Sequence, residues 1–175
     1  MRNSRRFRGM KKYDVIYCDP PWDVKIIKRR DRPNQIEMPY PVMSTEDIKY
    51  LPVKDLTKDN CSLFLWTIQK YLFTAFRIME WWGFKYHITI TWNKLNGMAL
   101  AGFNRQTEFL LFGYKGNLDI FPSRKTFPTC VNEKAGKHSE KPQIFREFIK
   151  PFGEERIELF ARKRVKGFDA WGNEV

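Results

Sequence analysis

Apolar residues along this chain fall in short blocks divided by polar stretches rich in Pro, Asn and Lys. YDVIYC, residues 13–18, is a compact β-rich run, the pattern of a strand buried on both faces. CSLFLW (61–66), KYHITITW (85–92), TEFLLFGY (107–114) and ERIELFARK (155–163) predict four more strands. Ser44, with an acid three residues on, opens STEDIKYL in a capping-box pattern and predicts a short helix. In residues 70–83, Leu72, Ala75, Phe76 and Met79 share one helical stripe, and Gly83 stands where such a helix would be capped. SEKPQIFREFI predicts a third helix, ending before Pro151, with Pro142 in the first turn, where a missing N–H costs little. Residues 19–41, the Asn/Gly-rich 93–105 and the polar stretch up to Ser139 read as loops. Helices interleaved with strands predict an α/β domain: a Rossmann-like, mostly parallel sheet with helices on both faces. No repeat or second domain is visible, so residues 1–12 form a basic arm and 13–175 a single domain.

Composition sharpens this picture. With 175 residues, 42% hydrophobic and 16% aromatic, the chain can bury a substantial core, which excludes disorder throughout. Thirty-two Lys and Arg against twenty Asp and Glu give a formal net charge of +12. The surplus is clustered: six cations and no acid in residues 1–12, then Lys25, Lys28, Arg29, Arg30 and Arg32, then Arg162, Lys163, Arg164 and Lys166. Clustered cations point to a polyanionic partner, most simply nucleic acid. The three cysteines and two histidines do not stand at metal-ligand spacing, so no metal site is expected. No apolar run is long enough to span a bilayer, and a cytoplasmic location without membrane contact is expected. The oligomeric state stays open, a homodimer included.

The candidate chemistry lies where the first strand ends, at Asp19-Pro20-Pro21-Trp22. Ligands of open α/β sheets bind at carboxyl ends of strands. Two prolines remove backbone donors and hold their neighbours extended, leaving the Asp19 carboxylate and the Pro20 carbonyl as rigid acceptors. Two such acceptors suit a primary amine with two N–H groups, and Trp22 offers a flat face for stacking a base. Adenine carries such an amine. Gripping both N–H groups would turn its nitrogen lone pair toward an electrophile, with most of the rate coming from orientation. On its own, the motif reads equally well as a rigid turn after a strand.

An ordered set of segments decides between these readings. DVIYCDPPWDV, EMPYPVMSTEDIKYLPV, LFLWT, TWNK, RQTEFLLFGYKGN, HSEKP, IELFARK and WGNEV, in this order, resemble the MTA-type N6-adenine methyltransferases, a family with eukaryotic, bacterial and phage members. The resemblance implies transfer of a methyl group from S-adenosylmethionine to the N6 amine of adenine in nucleic acid, DNA ahead of RNA. It also implies a permuted order, with the catalytic half first and the cofactor half last. Asp19, Pro20, Pro21 and Trp22 would then be catalytic. Lys141 would hold the cofactor's carboxylate, Phe160 and Arg162 would flank its adenosine, and Asn173 with Glu174 would bind its ribose. Tyr40, Asn104 and Glu108 would face the target base, and Lys28, Arg29 and Arg30 would hold phosphates. An RNA adenosine methyltransferase and a non-catalytic nucleic-acid-binding subunit are the alternatives.

Overall fold

The computed structural model describes residues 11–23, 42–100, 102–117, 126–136, 140–172 and 175, with the backbone alone at 98–100. The expected sites Lys28, Arg29, Arg30, Tyr40, Asn173 and Glu174 and the arm residues 1–10 lie outside the described residues. Seven strands form one sheet: β1 (Tyr13–Cys18), β2 (Thr57–Thr67), β3 (Lys85–Leu100), β4 (Phe103–Lys115), β5 (Cys130–Asn132), β6 (Arg156–Leu159) and β7 (Asp169–Trp171). Their spatial order is β5-β3-β4-β2-β1-β6-β7. β1 pairs in parallel with both β2 and β6, β6 with β7, and β3 with β5; only β4 runs antiparallel to its neighbours.

The helices are α1 (Thr45–Lys49), α2 (Leu72–Trp81) and α3 (Gln143–Ile149). Ser44 caps α1, its Oγ accepting from the Asp47 N–H at 3.0 Å. α2 ends as expected: Gly83 takes φ +86°, a left-handed value natural to glycine, and its N–H donates to the Glu80 carbonyl. α1 and α2 cover one face of the sheet, where Ile48, Ala75, Ile78 and Met79 pack on Ile16, Cys18, Leu63, Leu65 and Leu111. α3 covers the other face, with Phe145 and Ile149 against Val15, Tyr17, Phe64, Trp66 and Phe112. Alternation along β1 and β2 thus feeds two cores. The chain therefore changes faces at β1, where the crossover by α1 leads to β2 and the one by α3 leads to β6. The crevice between the carboxyl ends of β1 and β6 is the switch point at which such sheets bind ligands.

Four expectations on element boundaries change. Residues 93–105 are not a loop but largely the two arms of the β3–β4 hairpin, paired Met98 with Arg105 and Leu100 with Phe103. Their Asn and Gly content hid a strand whose stability comes from its partner rather than from propensity. The last expected strand stops at Leu159, because Phe160 adopts φ +62° and turns the chain. β5 and β7, three residues each, escaped notice because so short a run carries no readable alternation. α3 begins at Gln143, with Pro142 standing before the helix rather than inside its first turn.

Candidate active site

Asp19 follows β1 directly, and its N–H donates to the Leu159 carbonyl at the end of β6. Its carboxylate meets Lys141, whose Nζ lies 2.7 Å from Oδ2. The same ammonium lies 3.3 Å from Oε2 of Glu108, and Lys94 Nζ lies 3.1 Å from Oε1 of that glutamate. Lys94, Glu108, Lys141 and Asp19 thus form an alternating chain of charges from β3 to the switch point. Lys141 and Glu108 are each more than nine-tenths buried. Burial on its own lowers the Lys141 pKa, but Asp19 and Glu108 outweigh it and hold the ammonium above the ordinary lysine value. Burial likewise raises Glu108, and Lys141 and Lys94 more than reverse that, so its carboxyl lies below the usual range. Glu108 thus sits inside a buried chain of charges, between two lysines.

A second set of groups holds this cluster in position. Arg146 on α3 donates through Nε and a terminal nitrogen to the two oxygens of Glu158, at 2.9 and 2.7 Å, and to the Lys141 carbonyl at 3.3 Å. Its guanidinium also lies over the Tyr17 ring, 5.4 Å from the centroid. Trp66 donates to the Tyr17 hydroxyl at 2.7 Å and sits beneath the Lys141 ammonium, 5.2 Å from the ring centre. Arg146, Glu158, Tyr17, Trp66 and Lys94 were not singled out in sequence. One signal was readable: Glu158 is an acid inside an apolar strand, and a buried acid requires a partner.

The turn itself is tight. The Trp22 N–H donates to the Pro20 carbonyl at 2.8 Å, and the Met43 N–H donates to that of Pro21 at 3.0 Å. Trp22 does not offer the expected open stacking face. It is only 5% exposed, stacks on Tyr71 with ring centroids 5.2 Å apart, and donates Nε1–H to the Trp66 carbonyl at 3.0 Å. Its indole pins the turn to β2 and to Tyr71, the residue before α2, as a large aromatic in contact with a core does.

The remaining expected residues are spread along the same edge. Phe160, half-buried, follows β6 opposite Asp19 and meets Trp171 edge-on at 5.3 Å. Arg162 is half-buried and acts electrostatically on Glu140. Ala161 is buried: its N–H donates to the Trp171 carbonyl, and a Cβ on Gly172 would come within 2.3 Å of its oxygen. The missing side chain of Gly172 permits that approach of two chain segments. Asn104 is exposed, bonds Gln106 at 3.2 Å, and lies four residues along β4 from Glu108, about 13 Å at ~3.3 Å per residue, so it is not brought to Asp19.

A mostly parallel sheet with a charged switch point at β1 and β6 is the architecture of Rossmann-like methyltransferases. The chain belongs to the MT-A70 family, whose model matches residues 13–174. It is 31% identical over 183 residues to the type II methyltransferase M.MunI of Mycoplasma sp, covering 94% of this chain and 78% of that protein. It is 30% identical over 189 residues to the N(6)-adenine-specific methyltransferase METTL4 of Homo sapiens, covering 94% of this chain but 38% of the relative. The human N(6)-adenosine-methyltransferase catalytic subunit METTL3 is 27% identical over 161 residues, 86% of this chain and 26% of that protein. The chain thus spans well under half the length of its human relatives.

Proposed function

We propose that this chain transfers a methyl group from S-adenosylmethionine to the N6 amine of adenine in nucleic acid, with DNA ahead of RNA as substrate. The observation that carries the reading is the ion pair between the buried Lys141 and Asp19 of the Asp-Pro-Pro-Trp turn, at the switch point of the sheet. The amino-acid end of S-adenosylmethionine bears one carboxylate and one ammonium group. Lys141 and Asp19 present one charge of each sign side by side, so the residues fit that group. Phe160 and Arg162 follow the neighbouring strand and would flank its adenosine, with Asn173 and Glu174 at its ribose. When bound, the cofactor supplies a methyl group on a positively charged sulfur.

The protein's part is to orient the amine. Asp19 Oδ2 faces Lys141, and among the described residues Oδ1 has no hydrogen-bond partner. Pro20 gives one lone pair of its carbonyl to the Trp22 N–H and keeps the other. These two acceptors would take the two N–H groups of the adenine amine and aim its lone pair. As the nitrogen gains positive charge, the Asp19 carboxylate beside it stabilises that charge in a site with little water. Trp22 serves by fixing the Pro20 carbonyl, not by stacking. Glu108 and Lys94 hold Lys141 in place, while Tyr40 would lie toward the base and Lys28, Arg29 and Arg30 toward phosphates. The adenosine-specific name of one human relative keeps RNA as the alternative. A cytoplasmic location belongs to the same reading; no helix among the described residues is long and apolar enough to cross a membrane. A homodimer is compatible with it.

The test combines calorimetry and mass spectrometry. The protein is expected to bind S-adenosylmethionine, and then to convert adenine to N6-methyladenine in a random-sequence DNA pool faster than in the matching RNA pool. Cofactor binding without methylated adenine in either pool overturns the reading; faster turnover of RNA overturns the DNA preference.

A further inference from the structure

The β3–β4 hairpin continues past the edge of the sheet on the side where the site lies. Thr67, the last residue of β2, pairs with Phe109, so β4 runs six residues beyond it, from Glu108 out to Phe103, roughly 20 Å at ~3.3 Å per residue. Its root is tied to the site, since Glu108 and Lys94 belong to the charge chain that ends at Asp19. Its outer part carries apolar side chains in water. Phe103 is 76% exposed and Leu95 is 53% exposed. Leu95 is also held at φ +63°, a conformation that costs a non-glycine residue free energy and that packing on the core does not repay here. Between Asn93 and Thr107 there is no acidic residue, and the exposed Asn104 and Arg105 follow Phe103.

An aromatic at the end of a projecting, acid-free hairpin on a chain of net charge +12 is matched to a polyanion with stackable faces. Phe and Leu side chains serve as wedges between base steps, unstacking them at a cost of about a few kcal/mol per step. An adenine inside a duplex cannot reach Asp19 without leaving the stack, which also costs about a few kcal/mol. We infer that the hairpin is a nucleic-acid wedge, with Phe103 entering the base stack beside the target adenine and Leu95 and Arg105 bracing the strand. The inference rests on the proposed nucleic-acid substrate and adds to it the capacity to open a duplex. Because Phe103 is outside the core, its removal leaves the fold and the cofactor site untouched.

Phe103→Ala and Phe103→Trp are compared with the wild type on one random-sequence oligonucleotide pool, supplied as duplex or as separated strands. Methylation is read by nucleoside mass spectrometry and binding by fluorescence anisotropy. Phe103→Ala is expected to lose at least about tenfold in turnover on duplex and less than about threefold on single strands, with an unchanged melting temperature and cofactor affinity. Phe103→Trp, which can still stack, restores duplex turnover. Equal losses on both substrates, or none on duplex, overturn the wedge. A dimer in wild-type protein that becomes a monomer in Phe103→Ala by sedimentation also overturns it, by assigning the hairpin to a second copy of the chain. A wild type that methylates neither pool defeats the proposed function instead. Anisotropy still tests the wedge in that case: weaker duplex binding by Phe103→Ala supports it, and unchanged binding overturns it.

Discussion

β1 has an aspartate near each end, and the two are treated differently. At its amino end, Asp14 pairs with Lys58 at 2.8 Å and accepts the Glu155 N–H at 3.0 Å. Lys11 nearby reaches Glu155 and Asp169 at 2.6 and 2.8 Å. The two aspartates are similarly exposed, 26% for Asp14 and 21% for Asp19, but their partners differ: Lys58 is 41% exposed, whereas Lys141 and Glu108 have almost no contact with water. Exposed pairs are screened and contribute about 0–1 kcal/mol each. Buried ones pay a desolvation penalty that their attraction barely offsets, so apolar residues of similar size often serve stability as well or better. A fold gains little from buried charges at that position, whereas a site that handles a zwitterion and an amine needs them.

Exchanging one lysine at each end separates the two roles. Lys141→Met leaves the buried Glu108 and partly buried Asp19 carboxylates without their shared cation, and is expected to cost about 3–5 kcal/mol in chemical denaturation and to abolish calorimetric cofactor binding. Lys58→Met is expected to cost at most about 1 kcal/mol, to leave cofactor binding intact, and to lose even that effect in high salt. Equal costs would erase the distinction between the ends.

Trp22 probes the turn that carries Asp19. Trp22→Ala removes a buried indole and is expected to cost about 3–5 kcal/mol, read as a lower melting temperature. Trp22→Phe keeps the ring stacked on Tyr71 and loses the bond to the Trp66 carbonyl, about 1 kcal/mol. Wild-type melting of Trp22→Ala would return Trp22 to the role of an exposed stacking surface.

The pH dependence follows from the same charges. The Glu108 pKa is lowered on folding, so its stabilisation is complete above the ordinary carboxylate value of 4.5 and is lost as pH falls through the folded value. The Lys141 pKa is raised, so its contribution is complete below 10.5 and is lost as pH rises through the folded value. Denaturation midpoints measured across pH are expected to fall on both sides, and Glu108→Gln to shallow the acid side. An acid limb unaffected by Glu108→Gln would remove that residue from the charge chain.

The smallest effect concerns thiols. Burial pushes Cys61 up to about 12 and Cys18 well above its ordinary value, while Cys130 is exposed. Iodoacetamide at pH 8 is expected to label Cys130 alone in native protein and all three cysteines in denaturant. Prompt labelling of Cys18 would mean that the end of β1 opens to solvent.

Much of this was legible in the sequence. The five apolar blocks fell on strands, the Ser44 cap and the Gly83 stop lie where expected, and Asp19 stands at the end of its strand. Side-chain periodicity is local, so it reported β1 and α2 well. Lys141, Glu108 and Asp19 lie far apart along the chain, and their meeting is set by sheet order, which periodicity does not encode. The burial of Trp22 escaped for a similar reason: its partners Tyr71 and Trp66 come from another segment. The hairpin arms escaped because Asn and Gly disguise a strand that only cross-strand pairing stabilises.

The measurement that tests the central claim most directly compares Asp19→Asn with Asp14→Asn in single-turnover transfer of labelled methyl from S-adenosylmethionine to adenine-containing DNA. Both changes are nearly isosteric and remove one charge from the same strand. The account predicts that Asp19→Asn, folded at wild-type secondary structure, loses roughly 100-fold or more in rate, since an amine misaligned by about 1 Å costs that much, and that Asp14→Asn retains wild-type turnover. Wild-type turnover by Asp19→Asn, or an equal loss at both ends, would contradict it.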